Sequence, residues 1–202
     1  MRRQLMEAAV QCLIEIGYTQ TTTEKIASKA GVSRGAMTHH FKSRAEVFEA
    51  VANHIVEQRA LEYKKAVSKV EMPASGKPDL ASMRMTVTAL QKYYAVPTFI
   101  AYRELLLSAR SDKGLHSILV PLAKSLDEQI ANSLIANFPI WNQFKETSEV
   151  LRDLVLHTLQ GIAFDYVAPL SGSRLKSLLE LLATTAFDEF NRAMRLKRAA
   201  SV

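Results

Sequence analysis

Side chains that can bind a polyanion are concentrated between Thr21 and Glu46. Arginine, lysine, histidine and threonine are among the residue types that donate hydrogen bonds to phosphate oxygens and to base edges. We predict base contacts for Arg34, Thr38 and His39. Phosphate contacts are predicted for Thr22, Thr23, Lys25, His40, Lys42 and Arg44, and the same predicted DNA-binding set includes Ser33 and Gly35.

The same stretch has the signals of two short helices joined by a tight turn. Thr21 stands three residues before Glu24, which is the spacing of a capping box and predicts a helix that starts there. Gly31 follows the last apolar residue of this helix and can adopt the positive φ that a turn requires. Ser33 is a residue type that caps helices, and we expect the next helix to run from about Arg34 to His40.

This second helix is predicted to bury one face and expose the other. Ala36, Met37 and Phe41 can face inward, while Val32 can fill the corner between the two helices. A polar helix of two turns beside a glycine-containing turn has the dimensions that the major groove of DNA accepts. The outer face would then consist of Arg34, Gly35, Thr38, His39 and Lys42.

The order of these residues resembles the DNA-binding domain of TetR-family transcriptional regulators from Leu5 to about Val51. The resemblance rests on Thr22, Ile26-Ala27, Ala30-Gly31-Val32-Ser33, Gly35, His40-Phe41, Lys42 and Arg44. It implies a dimeric repressor that binds a pseudo-palindromic operator and releases it when a small molecule binds the C-terminal domain. The family usually has Tyr where this chain has Thr38, so the phosphate contact usual at that position is not expected here.

Composition agrees with a basic N-terminal region on a helical protein. The net charge is +6, and residues 1–45 contain seven basic and three acidic side chains, a balance of +4. This asymmetry suits a polyanionic partner at the N-terminal end, although a solvated charged face would have the same composition. With 48% hydrophobic residues and seven glycines, the 202 residues favour neither disorder nor a turn-rich β architecture.

The apolar periodicity predicts an all-α fold of about nine helices. We expect an N-terminal helix-turn-helix domain over residues 1–45 and an effector-binding and dimerisation domain over residues 46–202. A linker helix over residues 44–71 would join them, starting at a capping box from Ser43 to Glu46. The other predicted helices cover 2–16, 79–96, 98–110 and 115–134, with Pro121 either kinking the last of these or starting a new one.

The closing helices, 148–168 and 173–197, carry more apolar residues than one neighbouring helix can cover. By resemblance, this pair forms the homodimer interface as half of a four-helix bundle.

Cys12 is predicted to be a core residue, because a single cysteine cannot form an internal disulfide. With no long apolar run and no apolar signal core, we expect a cytoplasmic protein without a membrane partner.

Polar side chains scattered through the C-terminal helices are candidates for an effector pocket. The predicted effector-binding residues are Tyr102, Arg103, His116, Trp141, His157 and Gln160, with Tyr93, Glu104 and Tyr166 as further candidates. His157 also suits a core or interface position. A metal site from His116, His157 and Glu104 lacks any diagnostic short spacing. His39 and His40 do not suit a metal-binding pair, because neighbouring side chains on a helix point about 100° apart.

No cofactor is expected, and the sequence lacks the phosphate loop, nucleophile elbow and paired-histidine zinc helix of common enzymes. We therefore expect no enzymatic activity. Two other interpretations stay open at this point. One is a ligand-independent DNA-binding or assembly protein with the same helix-turn-helix. The other is an all-α enzyme with an appended DNA-binding unit.

Overall fold

A computed structural model describes residues 1–165 and 167–200. This part of the chain contains nine α-helices, one 3₁₀ helix and no strand, which confirms the all-α prediction. No helix within it is both long and apolar enough to cross a membrane. The helices are α1 Arg2–Gln20, α2 Thr23–Lys29, α3 Arg34–His40, α4 Arg44–Val67, α5 Leu80–Tyr94, α6 Pro97–Ala109, α7 Lys113–Asn137, the 3₁₀ helix Pro139–Phe144, α8 Lys145–Phe164 and α9 Gly172–Ala199.

The chain forms two compact units, and each contains two separate stretches of sequence. The first unit consists of Met1–Leu61 and Val96–Gln129, and the second of Glu62–Ala95 and Ile130–Val202. Helices α4 and α7 therefore contribute residues to both units. The functional boundary at residue 45 is a different kind of division and stays a prediction.

The capping box predicted from Thr21 to Glu24 is wrong. Thr22 caps α2 instead, because its hydroxyl accepts a hydrogen bond from the Lys25 backbone N–H at 3.3 Å. Thr21 is fully buried and donates its hydroxyl hydrogen to the Gly17 carbonyl at 2.7 Å. The cause lies in α1, where Gly17 turns with a φ of 73° and the chain then completes another helical turn. The helix-turn-helix consequently starts one residue later than predicted.

Several other helix boundaries differ from the predicted ones. The linker helix α4 ends at Val67 instead of about residue 71, and α8 covers 145–164 instead of 148–168. Pro121 neither ends α7 nor starts a new helix, because α7 continues through it. The last turn of a helix has few tertiary partners, so apolar spacing determines its end poorly.

Side chains cap three other helices, and one half of the capping box predicted from Ser43 to Glu46 is present. Asp79 and Ser82 form a reciprocal capping box at α5. Asp112 accepts a hydrogen bond from the Leu115 backbone N–H at 2.9 Å at the start of α7. Ser43 accepts one from the Glu46 backbone N–H at 3.2 Å, although the Glu46 carboxylate bonds the Lys42 N–H and not that of Ser43. These caps satisfy backbone donors that a helix start leaves without partners.

The core of the first unit packs α1, α2, α3 and the N-terminal half of α4 against α6 and the start of α7. Its fully buried members include Leu13, Ile26 and Val51. Cys12 is 3% exposed and belongs to this core, as predicted, and burial raises the pKa of its thiol. A protonated buried thiol behaves as a small apolar residue, so Cys12 contributes packing.

A hydrogen-bond network at Tyr18 joins three helices of this unit. The Tyr18 hydroxyl donates to the Asp112 carboxylate at 2.7 Å and accepts from the Arg44 guanidinium at 3.0 Å. Arg44 also donates to the Tyr18 carbonyl at 3.1 Å, and its guanidinium lies 4.4 Å from the ring centre of Tyr18 and 4.5 Å from that of Phe48. The network therefore ties the first residue of α4 and the cap of α7 to the end of α1.

The second unit has an aromatic core. Phe190 of α9 lies edge-on to Trp141 and Phe144, with ring centres 5.0 and 5.8 Å apart. Tyr63 packs edge-on against Tyr93, with ring centres 5.5 Å apart. These edge-to-face pairs fall in the distance range where aromatic rings attract each other.

The Tyr18 network predicts a pH-dependent contribution from Asp112. The backbone N–H of Leu115, followed by the Tyr18 hydroxyl, lowers the pKa of this carboxyl from its usual value of 3.8. A lowered folded-state pKa stabilises the protein above the unfolded pKa and loses that contribution as pH falls below it. Asp112→Asn, which can still cap a helix, should therefore lower the urea midpoint at pH 6 and have a smaller effect near pH 2.5.

The matched control is Glu128→Gln, which changes an exposed carboxylate of α7 in the same unit. Its urea midpoint should follow that of the wild type at both pH values. A deficit of Asp112→Asn that is equally large at pH 6 and pH 2.5 would contradict the assigned role of the carboxylate charge.

Candidate nucleic-acid interface

Helix α3 has the limits and the cap that the sequence predicts. Ser33 accepts a hydrogen bond from the Ala36 backbone N–H at 3.1 Å, and the helix runs over Arg34–His40. Gly31 has a φ of 66°, which side chains with a Cβ rarely adopt, so it allows the turn from α2. At about 1.5 Å per residue, α3 is about 10 Å long, which suits the width of the DNA major groove.

The two faces of α3 separate as predicted. Met37 and Phe41 are buried in the first unit, Ala36 is half-buried, and Val32 packs against the same core. His40 is half-buried and contacts the exposed ring of His39 edge-on at 5.5 Å. The exposed residues are Arg34, Gly35, Thr38, His39 and Lys42. Five residues from the predicted DNA-binding set thus lie on one open surface, and their individual roles stay predictions.

Arg34 lies near an acidic residue of the preceding helix. Its guanidinium is 3.8 Å from the Glu24 carboxylate, and both side chains are more than half exposed. Hydrogen bonds from the Glu24 backbone N–H and from Thr22 lower the pKa of the Glu24 carboxyl, with a smaller contribution from the Arg34 charge. An exposed pair at this distance is weak, so Arg34 can exchange it for a base or a phosphate.

The Thr38 hydroxyl forms hydrogen bonds within its own helix. It donates toward the carbonyls of Arg34 at 3.1 Å and Gly35 at 3.0 Å. A hydroxyl has one hydrogen, so in this rotamer Thr38 offers DNA its methyl group and its oxygen lone pairs. A methyl group on a recognition helix can pack against the thymine C5-methyl.

The predicted phosphate contacts fall into two groups. Lys25 and Lys42 are exposed, and Thr23 is half-buried. Thr22 uses its hydroxyl oxygen as a helix cap, and Arg44 directs two of its donors to Tyr18. The contact between Arg44 and Tyr18 could not be predicted from the sequence, because the two residues are 26 positions apart and no short-range pattern links them.

The second unit contains an apolar cavity of about 60 Å³. Its walls come from α4, α5, the end of α7, the 3₁₀ helix, α8 and α9, together with the segment before α5. The residues that line it are Tyr63, Met72, Pro78, Ser82, Met83, Thr86, Val87, Leu90, Leu134, Phe138, Trp141, Ser148, Leu151, Arg152, Val155, Leu156 and Ala186.

The predicted effector-binding residues are not brought together. Trp141 lines the cavity. His157 is exposed on α8, with its Nδ1 atom 2.9 Å from the Asp153 carbonyl oxygen, and Gln160 is half-buried on the same helix. The other three, Tyr102, Arg103 and His116, belong to the first unit, where Arg103 is buried and His116 is exposed. Of the further candidates, Tyr166 lies outside the described residues.

Tyr63 and Arg152 line the cavity, although neither is among the residues predicted to bind the effector. Tyr63 looks like one more member of the apolar stripe of α4, and Arg152 looks like a charge beside Asp153. A charged residue next to Leu151 on an otherwise apolar face was the available signal. Among the described residues, no three His, Cys, Asp or Glu side chains are grouped so that they could hold a metal ion.

Comparisons with known proteins agree with the helix-turn-helix. Residues 5–51 match the family model described as bacterial regulatory proteins, tetR family. An uncharacterised HTH-type transcriptional regulator of Mycobacterium bovis is 27% identical over 165 residues, which cover 79% of each chain. Solved structures share the fold over most of the chain.

One such structure is a TetR family transcription regulator from Marinobacter aquaeolei, with a TM-score of 0.63, 16% identity and coverage of 93% of this chain and 94% of that one. A second is the multidrug binding protein EbrR complexed with ethidium, with a TM-score of 0.61, 19% identity and coverage of 92% and 97%. The capped recognition helix, the matched N-terminal residues and the shared helical fold lead to one conclusion: residues 5–51 form a DNA-binding helix-turn-helix domain of the tetR family, within a chain that is similar to TetR-family transcriptional regulators over most of its length.

Proposed function

We propose that this protein is a homodimeric repressor that binds a pseudo-palindromic operator and releases it when a small molecule enters the cavity of the second unit. The observation that carries the proposal is the polar, basic and exposed face of α3, supported from behind by Met37 and Phe41. In this proposal, residues 1–45 bind DNA, and residues 46–202 bind the effector and form the dimer. The protein acts in the cytoplasm, without a membrane partner and without catalysis.

Electrostatics supports DNA as the partner of the first unit. Residues 1–45 carry a net charge of +4, and Lys25 and Lys42 are exposed. Lysines near phosphates release condensed counterions, so affinity should fall as salt concentration rises. This contribution is independent of sequence, whereas Arg34, Thr38 and His39 would supply the preference for particular bases.

Exposed apolar residues on α8 and α9 support a dimer. Val150 and Leu154 of α8 are 69% and 42% exposed, and Leu181 and Leu196 of α9 are 60% and 63% exposed. Val150 and Leu154 are one helical turn apart, and neighbouring apolar side chains exposed on one surface are typical of a protein–protein contact. We therefore place the homodimer interface on residues 148–168 and 173–197, which requires a two-fold axis and two recognition helices.

Helix α4 supports the proposed link between effector and DNA. It starts at Arg44, four residues after α3 ends, and it carries Tyr63 into the wall of the cavity. A ligand that binds one arrangement of α4 more tightly than another shifts the population toward that arrangement. The same difference in affinity sets how strongly the ligand weakens operator binding. The cavity favours this mechanism over a ligand-independent DNA-binding or assembly protein, for which no cavity is needed.

Selection of bound duplexes from a random DNA pool tests the proposal. The full-length protein should select a two-fold symmetric consensus, and light scattering at micromolar concentration should give the mass of a dimer. The operator-bound fraction should fall when a cavity ligand is added. A monomer in light scattering, or a pool with no enriched sequence, would contradict the proposal.

Two substitutions should separate base contacts from phosphate contacts. Arg34→Ala should cost about 1–3 kcal/mol on the selected operator and relax the preference at one base pair, if Arg34 bonds a guanine edge. Lys42→Ala should weaken binding to operator and random DNA alike and reduce the salt dependence. Binding titrations at several salt concentrations measure both effects. Lys124→Ala, an exposed lysine on α7, is the matched control, and equal losses on both DNAs for both test variants would argue against these roles.

Thr38 should read a thymine through its methyl group. Its hydroxyl hydrogen is directed to the Arg34 and Gly35 carbonyls, so Thr38→Val, which keeps a methyl group in this position, should retain the selected consensus. Thr38→Ala should lose the preference for one A·T pair per half-site. Thr38→Tyr should gain affinity on all sequences through a phosphate while losing the same preference. Selection experiments at fixed salt check this, and one unchanged consensus in all four proteins would remove Thr38 from the base-reading residues.

A further inference from the structure

The hydroxyl groups of the cavity wall differ in whether they can bind a ligand. Ser82 donates to the Asp79 carbonyl, Thr86 to the Ser82 carbonyl and Ser148 to the Lys145 carbonyl, each at 2.9 Å. Because each of these hydroxyls has a single hydrogen, it has none left for a molecule in the cavity. The remaining wall is mostly aliphatic and aromatic. Such a wall favours a ligand with little polar surface.

Tyr63 is the exception among these hydroxyls. Its side chain is 1% exposed and lines the cavity, and its hydroxyl makes no hydrogen bond within residues 1–165 and 167–200. Burial raises the pKa of Tyr63, so the phenol keeps its proton. Because a buried hydroxyl without a partner is costly, a ligand atom that accepts this hydrogen would be favoured.

Arg152 adds positive charge to the same wall. Its side chain is 11% exposed, and Nη2 lies 3.2 Å from the Asp153 carboxylate, which is itself 55% exposed. Arg152 and Tyr63 both line the cavity. Among the described residues that line the cavity there is no Asp or Glu. The polar part of the wall therefore includes hydrogen-bond donors and no carboxylate, which suits an oxygen acceptor and leaves a ligand cation without a counter-ion.

The cavity volume limits the size of the ligand. An apolar cavity of roughly 150 Å³ holds a benzene molecule, whereas this one measures about 60 Å³. A ligand of six or more heavy atoms therefore requires the wall to move. Met72 and Met83 are suited to that movement, because an unbranched side chain with three rotatable bonds can change shape at low cost.

We propose that the cavity binds an apolar molecule with one oxygen acceptor, either a carbonyl or a carboxylate, that accepts a hydrogen bond from Tyr63, and that it rejects lipophilic cations. This inference rests on the proposed function, since it names the class of the effector. It separates this protein from EbrR, which shares the fold but is complexed with the cation ethidium in its structure.

Three probes with the same six-carbon body test the head group. Full-length protein is titrated with 2-hexanone, hexanoate and hexylammonium up to about 10 mM by isothermal calorimetry. We expect 2-hexanone or hexanoate to bind and hexylammonium not to bind. The relative affinity of the ketone and the carboxylate tells the two acceptor types apart. Hexylammonium binding as tightly as the other probes, or no binding by any probe, would overturn the proposal.

Substitutions assign the contact to individual residues. Tyr63→Phe removes only the hydroxyl and should weaken binding of the acceptor probe about threefold to tenfold. Tyr94→Phe, at a buried tyrosine of the same unit that is not among the cavity residues, is the matched control and should bind like the wild type. Arg152→Gln should weaken hexanoate more than 2-hexanone. Equal affinity of Tyr63→Phe and wild type would refute the hydroxyl contact.

An infrared measurement keeps the proposal testable if Tyr63→Phe does not fold. The carbonyl stretch of 2-hexanone labelled with ¹³C at the carbonyl should lie at lower frequency when bound to wild-type protein than in hexane, because a hydrogen bond weakens the carbonyl bond. A hexane-like frequency would refute the contact.

Operator binding is measured on the same samples. Release by hexylammonium would reject the ligand class but keep the regulator, whereas probe binding without operator release would reject the effector response only.

Discussion

The first unit depends on how the Tyr18 phenol is held. Three helix ends meet at this one side chain: its own in α1, the start of α4 through Arg44, and the cap of α7 through Asp112. Asp112 is both the acceptor of the Tyr18 hydroxyl and the cap of its own helix, so one carboxylate serves two structural purposes. Because α4 begins four residues after the recognition helix ends, the network also limits where α3 can lie.

The recognition helix α3 has a buried face that holds it in the core and an exposed face of polar side chains. Met37 and Phe41 anchor α3 in the core, and Ser33 satisfies a backbone donor at its start. The outer side chains have few competing partners, since the contact of Arg34 with Glu24 is long and exposed. A helix held from behind loses little conformational entropy when it enters a groove. The Thr38 hydroxyl donates its hydrogen to carbonyls of its own helix, so the side chain presents a methyl group and an acceptor oxygen to DNA.

The C-terminal part of α4 belongs to the second unit, where Tyr63 lines a mostly apolar cavity. Tyr63, Trp141 and Arg152 are among the residues that line this cavity and carry hydrogen-bond donors. A small cavity lined by methionines has an energetic consequence for regulation. A ligand that must widen the cavity binds less tightly than its contacts alone would allow. The affinity is reduced by the free-energy difference between the narrow and the widened state of the wall. Under the proposed function, only the difference in the affinity of the ligand for these two states can change DNA binding.

The sequence by itself determined the features that depend on neighbours within one helical turn. Gly31 and Ser33 mark the turn before α3 and the start of α3 through local backbone geometry and a short-range hydrogen bond. Tertiary structure decided which of two adjacent threonines caps α2, because burial of Thr21 removed it from that role. It also decided that Tyr18 meets Asp112, 94 residues away, and that Tyr63 and Arg152 share a cavity. Contacts between distant residues depend on chain packing, which no local pattern encodes.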